Sequence, residues 1–533
     1  MKIVVAEKIS NTAVNILRNE PGWNVITADQ ISGDLPAQLK DADALIVRSA
    51  VQADAALLQH AENLRVIGRA GVGVDNVDLD AATRKGIAVM NTPGANAVAV
   101  AEHTIGLMLN LARFIARADC LMHAGKWEKK SLQGTELRGK TLSVIGLGRI
   151  GAEVAKRAKV FGMKVVAHDP FISNAVAADM GVQLLPLDEA LAAADYISLH
   201  LGLTPQTERM INAETIARMK KGVRLVNCAR GELIDEGALA QALESGQVSG
   251  AALDVFCAEP LSKECPLMNA PNLIMTPHIA GSTHEAQEAV GVQIAQQLRE
   301  YLTRGVIQNA VNVPSVTAEE YAEMYPYIVL AERLGAFLAQ ASGESLEEIG
   351  LSYTGRIVNW KTDLVRNAGV MGVLNQMLSE KANLVNAASI ANSRGIRVEE
   401  QTRPLAANGR PGDVITMTLK TAGGERLVRG TVLHGESPRL LTIDNIDIEA
   451  RLERNLIYLR NRDVPGVIGQ VGTLLAKHGV NIADFSLGRA EAEKQPGVRE
   501  AVAVVRIDGD ASEAVLNDLR QIDAVIEAKS IVL

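Results

Sequence analysis

The sequence predicts an α/β protein: two doubly wound parallel-sheet lobes, then an α+β segment, then a small C-terminal domain of split β-α-β type. Three observations predict it. Short apolar runs alternate with helical patterns over roughly the first half of the chain. A G-x-G-x-x-G turn follows one of those runs directly and opens a helix. From Arg454 the order becomes strand, helix, strand, strand, helix, strand. A chain of 533 residues suits three or four domains at about 150 residues each.

The first lobe reads from "KIVVA", "DALIVRS", "LRVIGRAG" and "IAVMNTPG", which are strands separated by helical patterns. One long helix near Ala97–Gly125 links it to a second series: "TLSVIGLG", "MKVVAHDP", "DYISLHL", "VRLVNCAR", "GAALDVF" and "NLIMTPHIAG". The helix "HEAQEAVGVQIAQQLREYLTRG" returns the chain toward the first lobe, and "NAVNVPSVTAEE" reads as a linker. The mixed segment beyond it carries no catalytic motif.

Composition excludes some functions. A net charge of −8 disfavours a nucleic-acid binder held by phosphate contacts. The apolar stretch "NAVAVAEHTIGLMLNLARFIARA" is broken by Glu102 and His103, so it reads as a buried helix rather than a membrane span. None of the four cysteines forms a C-x-x-C pair, and Met1 opens directly into a strand; both point to a reducing cytoplasm. No metal is expected.

"GLGRIG" supplies Gly146 for a tight turn, Gly148 for close approach of a pyrophosphate, and Gly151 for helix–sheet packing. Asp169 ends the next strand, where a carboxylate accepts from ribose hydroxyls and repels a 2′-phosphate, so NAD is expected over NADP. Three further strand ends offer Arg230, then Asp254 with Glu259, then His278. Imidazole titrates near neutral pH, which suits His278 as base for a hydroxyl proton. Glu259 would fix the ring tautomer, and Arg230 would grip a substrate carboxylate.

These segments, together with "GRAGVGVDNVDLDAATRKGIAVMNTPGANAVAVAEHTIGLML", resemble the signatures of the D-isomer-specific 2-hydroxyacid dehydrogenases. The chain is similar to the long-form members, and "YLRNRDVPGVIGQVGTLLAKHGVNIADFSLGR" resembles an ACT domain. The resemblance implies two Rossmann-like lobes, an intervening domain and a ferredoxin-like ACT domain. The boundaries are 1–96 plus 282–312 for the substrate lobe, 97–281 for the NAD lobe, 313–452 and 453–533.

It further implies NAD-dependent oxidation of 3-phosphoglycerate to 3-phosphohydroxypyruvate by Arg230, Glu259 and His278. NAD contacts are implied at Arg149, Ile150, Asp169, Cys228, Ala229, Arg230, Asp254 and His278 to Gly281. Substrate contacts are implied at Arg48, Arg69, Gly71, Val72, Gly73 and Asn96; at Val72, where some relatives carry a hydroxyl, contact must be backbone or apolar. Asn461, Asp463 and Asn481 are the implied sites for an effector, L-serine. A homo-oligomer, usually a tetramer, is also implied. Two alternatives stay open: another D-2-hydroxyacid dehydrogenase of glyoxylate or hydroxypyruvate reductase type, and an NAD-sensing scaffold without catalysis.

Overall fold

The computed structural model describes residues 1–31, 33–314, 316–342, 346–379, 381–402, 412–491 and 499–533. Its first sheet is all parallel: β1 (Lys2–Val5), β2 (Asn24–Ile26), β3 (Ala44–Val47), β4 (Val66–Arg69) and β5 (Ala88–Met90), in the order β2-β1-β3-β4-β5. β3 is buried along its whole length, as expected of a strand covered on both faces. β2 is a three-residue strand that the apolar runs do not announce.

The second sheet is also parallel. It contains β6 (Thr141–Ile145), β7 (Lys164–His168), β8 (Gln183–Leu184), β9 (Tyr196–Leu199), β10 (Val223–Asn227), β11 (Val248–Leu253) and β12 (Leu273–Met275). The order is β12-β11-β10-β9-β6-β7-β8. The order reverses between β6 and β9, so the crevice above their carboxyl ends is the place for a ligand.

The long linking helix differs from expectation. It is two helices, Ala97–Arg113 and Ile115–His123, bent by 65° at Phe114, whose φ is 53°. The Ala112 carbonyl accepts from Thr135 N at 2.9 Å instead of from the next helical turn. Ala116 N turns to the Asn110 side chain at 2.8 Å. The ladder is therefore diverted at both ends of the break. No single helix among the described residues is long and apolar enough to cross a membrane.

The helix His284–Arg304 packs on the first lobe, against the helix Asn11–Arg18 and β4. A Cβ on Gly68 would lie 2.7 Å from Leu298. The segment read as a linker is tied to the same lobe, because Asn312 accepts from Val89 N and donates to Ile87 O. Ser315 of that segment lies outside the described residues.

The third sheet holds β13 (Leu346–Thr354), β14 (Arg397–Thr402), β15 (Val414–Thr421), β16 (Gly424–Leu433), β17 (Ser437–Ile443) and β18 (Ile446–Arg451). It is antiparallel except for the β13–β14 pair. The fourth is antiparallel, with β19 (Asn455–Arg462), β20 (Ile482–Arg489), β21 (Glu500–Ile507) and β22 (Val525–Val532) in the order β20-β21-β19-β22. That is the ferredoxin-like order. One apolar core runs from Ile3 and Leu298 through Tyr353 to Tyr458 and Ile531, joining the first lobe to both C-terminal sheets. The second lobe has its own cores.

Candidate active site

The glycine turn sits at the carboxyl end of β6. Gly146 has φ 93°, and a Cβ there would lie 2.6 Å from the His200 carbonyl, so only glycine makes this turn. Gly148 caps the helix Arg149–Val160 and has open space before it, room for a phosphate to reach the backbone. A Cβ on Gly151 would lie 2.0 Å from Gly146 O, so the helix packs at this glycine. The first-turn amides of Arg149 and Ile150 lack intrahelical acceptors and carry the positive end of the helix dipole. Asp169 ends the neighbouring strand, β7; its carboxylate accepts from Leu147 N at 2.8 Å and Phe171 N at 2.9 Å. Each oxygen keeps a lone pair for a ribose hydroxyl. The donor set fits NAD.

Beyond β10, Asn227 shapes the next loop. Its amide accepts from Ala229 N at 2.9 Å and donates to Arg230 O at 2.7 Å. Cys228 is buried in this loop, and burial pushes its thiol up to about 12. Gly231 lets the loop abut the next one: a Cβ there would lie 2.0 Å from Phe256 C. That second loop carries Glu259, whose Oε1 accepts from Phe256 N at 3.0 Å. Its Oε2 lies 2.7 Å from His278 Nδ1. The carboxylate thus fixes the ring and leaves Nε2 for a substrate.

His278 holds a φ of 52°, a conformation a non-glycine residue keeps only under local compulsion. Asp254 supplies it. The His278 amide donates to Asp254 O at 2.9 Å, and the Asp254 side chain accepts from Ile279 N, Ala280 N and Thr276 Oγ1. Burial alone would raise this carboxyl. Hydrogen bonds from His103, Thr276 and the two amides outweigh burial and hold it below the ordinary carboxylate range. The fully buried carboxylate is therefore engaged within the protein, beneath the turn that presents His278.

The two lobes meet closely. Arg149 lies against Gly94, and Asn96 against Gly281, where a Cβ would be 3.0 Å from the Asn96 amide nitrogen. Arg230 reaches from the second lobe to the turn Gly71–Asn76 of the first. Its Nη2 donates to Asp75 at 2.9 Å, and a Cβ on Gly73 would lie 1.8 Å from that nitrogen. Arg69 packs over Gly71 in the same turn; burial, then the charge of Arg230, pushes its guanidinium below its usual range. Arg48 follows β3, and its loop is shaped by Glu7, which accepts from the amides of Arg48, Ala50 and Val51. The Val72 carbonyl accepts from Asn91 at 2.5 Å.

Sequence reasoning missed Asp75, Asn227, Glu7, Thr276 and His103. All but Glu7 stood in quoted segments, but nothing local marks Asp75 as a partner of Arg230.

Asn461 and Asp463 line a cavity of about 510 Å³ in the last domain, with Arg489, Phe485 and Leu487. Asp463 pairs with Arg489 at 3.2 Å. Asn481 lies apart from it and donates to Asp508 at 2.7 Å.

A dinucleotide turn, a strand-end aspartate and a carboxylate-backed histidine fit an NAD-dependent 2-hydroxyacid dehydrogenase. Residues 105–280 match the D-isomer specific 2-hydroxyacid dehydrogenase NAD binding domain. Residues 323–444 match the D-3-phosphoglycerate dehydrogenase intervening domain, and 456–524 match the ACT domain. The chain is 41% identical over 523 residues to D-3-phosphoglycerate dehydrogenase of Methanocaldococcus jannaschii, covering 98% of each chain. It is 35% identical to that of Bacillus subtilis, covering 99% of each. The NAD complex of a formate dehydrogenase from Staphylococcus aureus is 30% identical, with TM-score 0.53; the match spans 59% of this chain and 100% of that one. The chain belongs to the D-3-phosphoglycerate dehydrogenase family.

Proposed function

We propose that this enzyme oxidises D-3-phosphoglycerate to 3-phosphohydroxypyruvate, the first step of phosphorylated serine biosynthesis. The observation that carries the reading is the mutual neighbourhood of Arg48, Arg69 and Arg230, with the His278–Glu259 pair, 2.7 Å apart, held by a loop that abuts the Arg230 loop. A 2-hydroxy acid bearing a phosphate needs cations for both of its anionic ends. Arg230 takes the carboxylate, and Arg48 and Arg69 take the phosphate, with Gly71, Val72, Gly73 and Asn96 shaping the space between. His278 Nε2 removes the hydroxyl proton, while Glu259 holds Nδ1 and balances the charge the ring gains. A bound NAD would supply the hydride acceptor for C2. Gly146, Gly148, Arg149, Ile150, Gly151, Asp169, Cys228, Ala229, Asp254 and Gly281 form or support its seat.

The chain divides for this purpose into 1–96 plus 282–312, 97–281, 313–452 and 453–533. The effector is L-serine, and the cavity at Asn461 and Asp463 supports that reading: Asp463 offers a carboxylate to an ammonium, and Arg489 offers a cation to a carboxylate. Asn481 would contribute from a paired copy. A homotetramer is supported by exposed apolar side chains at Val98, Ile115, Met122 and Trp127, the last 80% exposed.

NADH formation from D-3-phosphoglycerate, with and without L-serine, tests the assignment. His278→Asn lowers kcat about 100-fold or more, the typical weight of a general base. Glyoxylate reduction far faster than 3-phosphohydroxypyruvate reduction would sink the substrate, and near-normal turnover by His278→Asn would sink the mechanism.

A further inference from the structure

Every nitrogen of the Arg230 guanidinium donates at least one hydrogen bond within the protein. Its Nη1 donates to Ala229 O at 2.7 Å. Its Nε and Nη2 both donate to Asp75 Oδ2, at 3.2 and 2.9 Å. That Nε–Nη2 edge is one of the two that can hold a carboxylate in fork fashion. A substrate carboxylate taking this edge must evict Asp75. One taking the other edge meets its negative charge.

Asp75 is suited to eviction. Its side chain is 64% exposed against 27% for Arg230, so it can turn to water at little cost. Glu7, the other carboxylate facing these arginines, is tied to three backbone amides and cannot leave. Of the two carboxylates facing Arg69, Asp75 is thus the movable one. It belongs to the first lobe and Arg230 to the second, so their pairing also spans the cleft.

We propose that Asp75 is a built-in stand-in for the substrate carboxylate. It holds Arg230 extended across the cleft and yields that position when a 2-hydroxy acid binds. This rests on the assignment of Arg230 to the carboxylate. It makes Asp75 a positioning residue that weakens substrate binding in return for a preformed site. The displacement cost is the same for every carboxylate ligand. It therefore scales all their affinities by one factor and leaves the preference between them alone.

The test uses the full-length enzyme and Asp75→Asn, which keeps the shape and removes the charge. KM for D-3-phosphoglycerate falls about threefold to fivefold, the size of an exposed ion pair, and kcat does not rise. Oxalate binding to the enzyme–NADH complex, read by NADH fluorescence, tightens by the same factor. Inorganic phosphate, which has no carboxylate, gains less. Asp75→Glu keeps a displaceable carboxylate and stays near the parent enzyme in both readouts. An unchanged or raised KM together with unchanged oxalate binding in Asp75→Asn overturns the proposal. The oxalate measurement requires no knowledge of the substrate. An inactive parent enzyme with D-3-phosphoglycerate would overturn the proposed reaction instead, with the oxalate result still deciding the role of Asp75.

Discussion

Cys228 shows how one side chain acquires its chemistry from its place. It lies between β10 and Arg230, buried under the cofactor crevice, and desolvation pushes its thiol up to about 12. Thiolate, not thiol, is the nucleophile, so a cysteine that stays protonated is inert. Cys120 is exposed. At pH 8, iodoacetamide is expected to label Cys120 more than about tenfold faster than Cys228 by peptide mass mapping. The sign with pH follows from the raised value. The unfolded thiol gives up its proton near 9.0, before the folded one does, so this residue subtracts stability as pH rises above 9.0 toward 12. Comparable labelling of the two cysteines in the folded enzyme at pH 8 would show that Cys228 is not shielded as its burial requires. The residues legible in the sequence were those whose meaning is local. The glycine spacing is legible because its reasons are backbone ones: Gly146 takes a φ of 93°, and Gly151 packs against Gly146 O in the same turn. Asp75 was illegible because its partner, Arg230, is in the other lobe, and only folding brings the two within 2.9 Å.

At the scale of the element, the turn and the helix it opens are a single device. Gly151 lets the helix Arg149–Val160 settle against Gly146 O, and this fixes where the helix N-terminus points. Gly151→Ala inserts a methyl 2.0 Å from that carbonyl, a backbone atom that cannot swing aside. Overpacking of this kind costs about 1–3 kcal/mol. The expected outcome is a KM for NAD raised about tenfold with a lower melting temperature; an unchanged KM would show that the helix tolerates displacement. Element boundaries were read less well than this turn. β8 spans two residues, and its strand carries too little pattern to stand out. The break at Phe114 interrupts a helical periodicity that continues on both sides. It is imposed from outside, by Thr135 capturing the Ala112 carbonyl, and that capture is a tertiary fact. By contrast, the order of elements in the last domain was legible throughout, since each strand and helix is long enough to show its own period.

At the scale of the whole molecule, the intervening and ACT domains are mounted on the first lobe. The ACT domain is bound to the intervening domain by Arg426, which donates to Tyr458 Oη at 2.9 Å and pairs with Asp444 at 2.7 Å. Gln340 clamps the end of β22, accepting from Val532 N and donating to Val532 O, both at 3.0 Å. The intervening domain in turn meets the first lobe where Asn383 donates to Gly86 O at 2.8 Å. Gly86 follows the helix Leu79–Arg84, and that helix follows the turn bearing Gly73 and Asp75. The NAD lobe keeps separate cores. On the proposed assignment, an effector bound to the ACT domain would act through the first lobe rather than through the NAD lobe. With L-serine as the proposed effector, NAD binding without substrate, measured by calorimetry, should change less than about twofold, while turnover of D-3-phosphoglycerate falls within the about 5- to 150-fold range of ordinary coupling. Arg426→Met, which removes one of the ties between the intervening and ACT domains while the Gln340 clamp remains, should lower the serine effect about threefold. A serine effect as large on NAD binding alone as on turnover would mean that the signal enters through the other lobe.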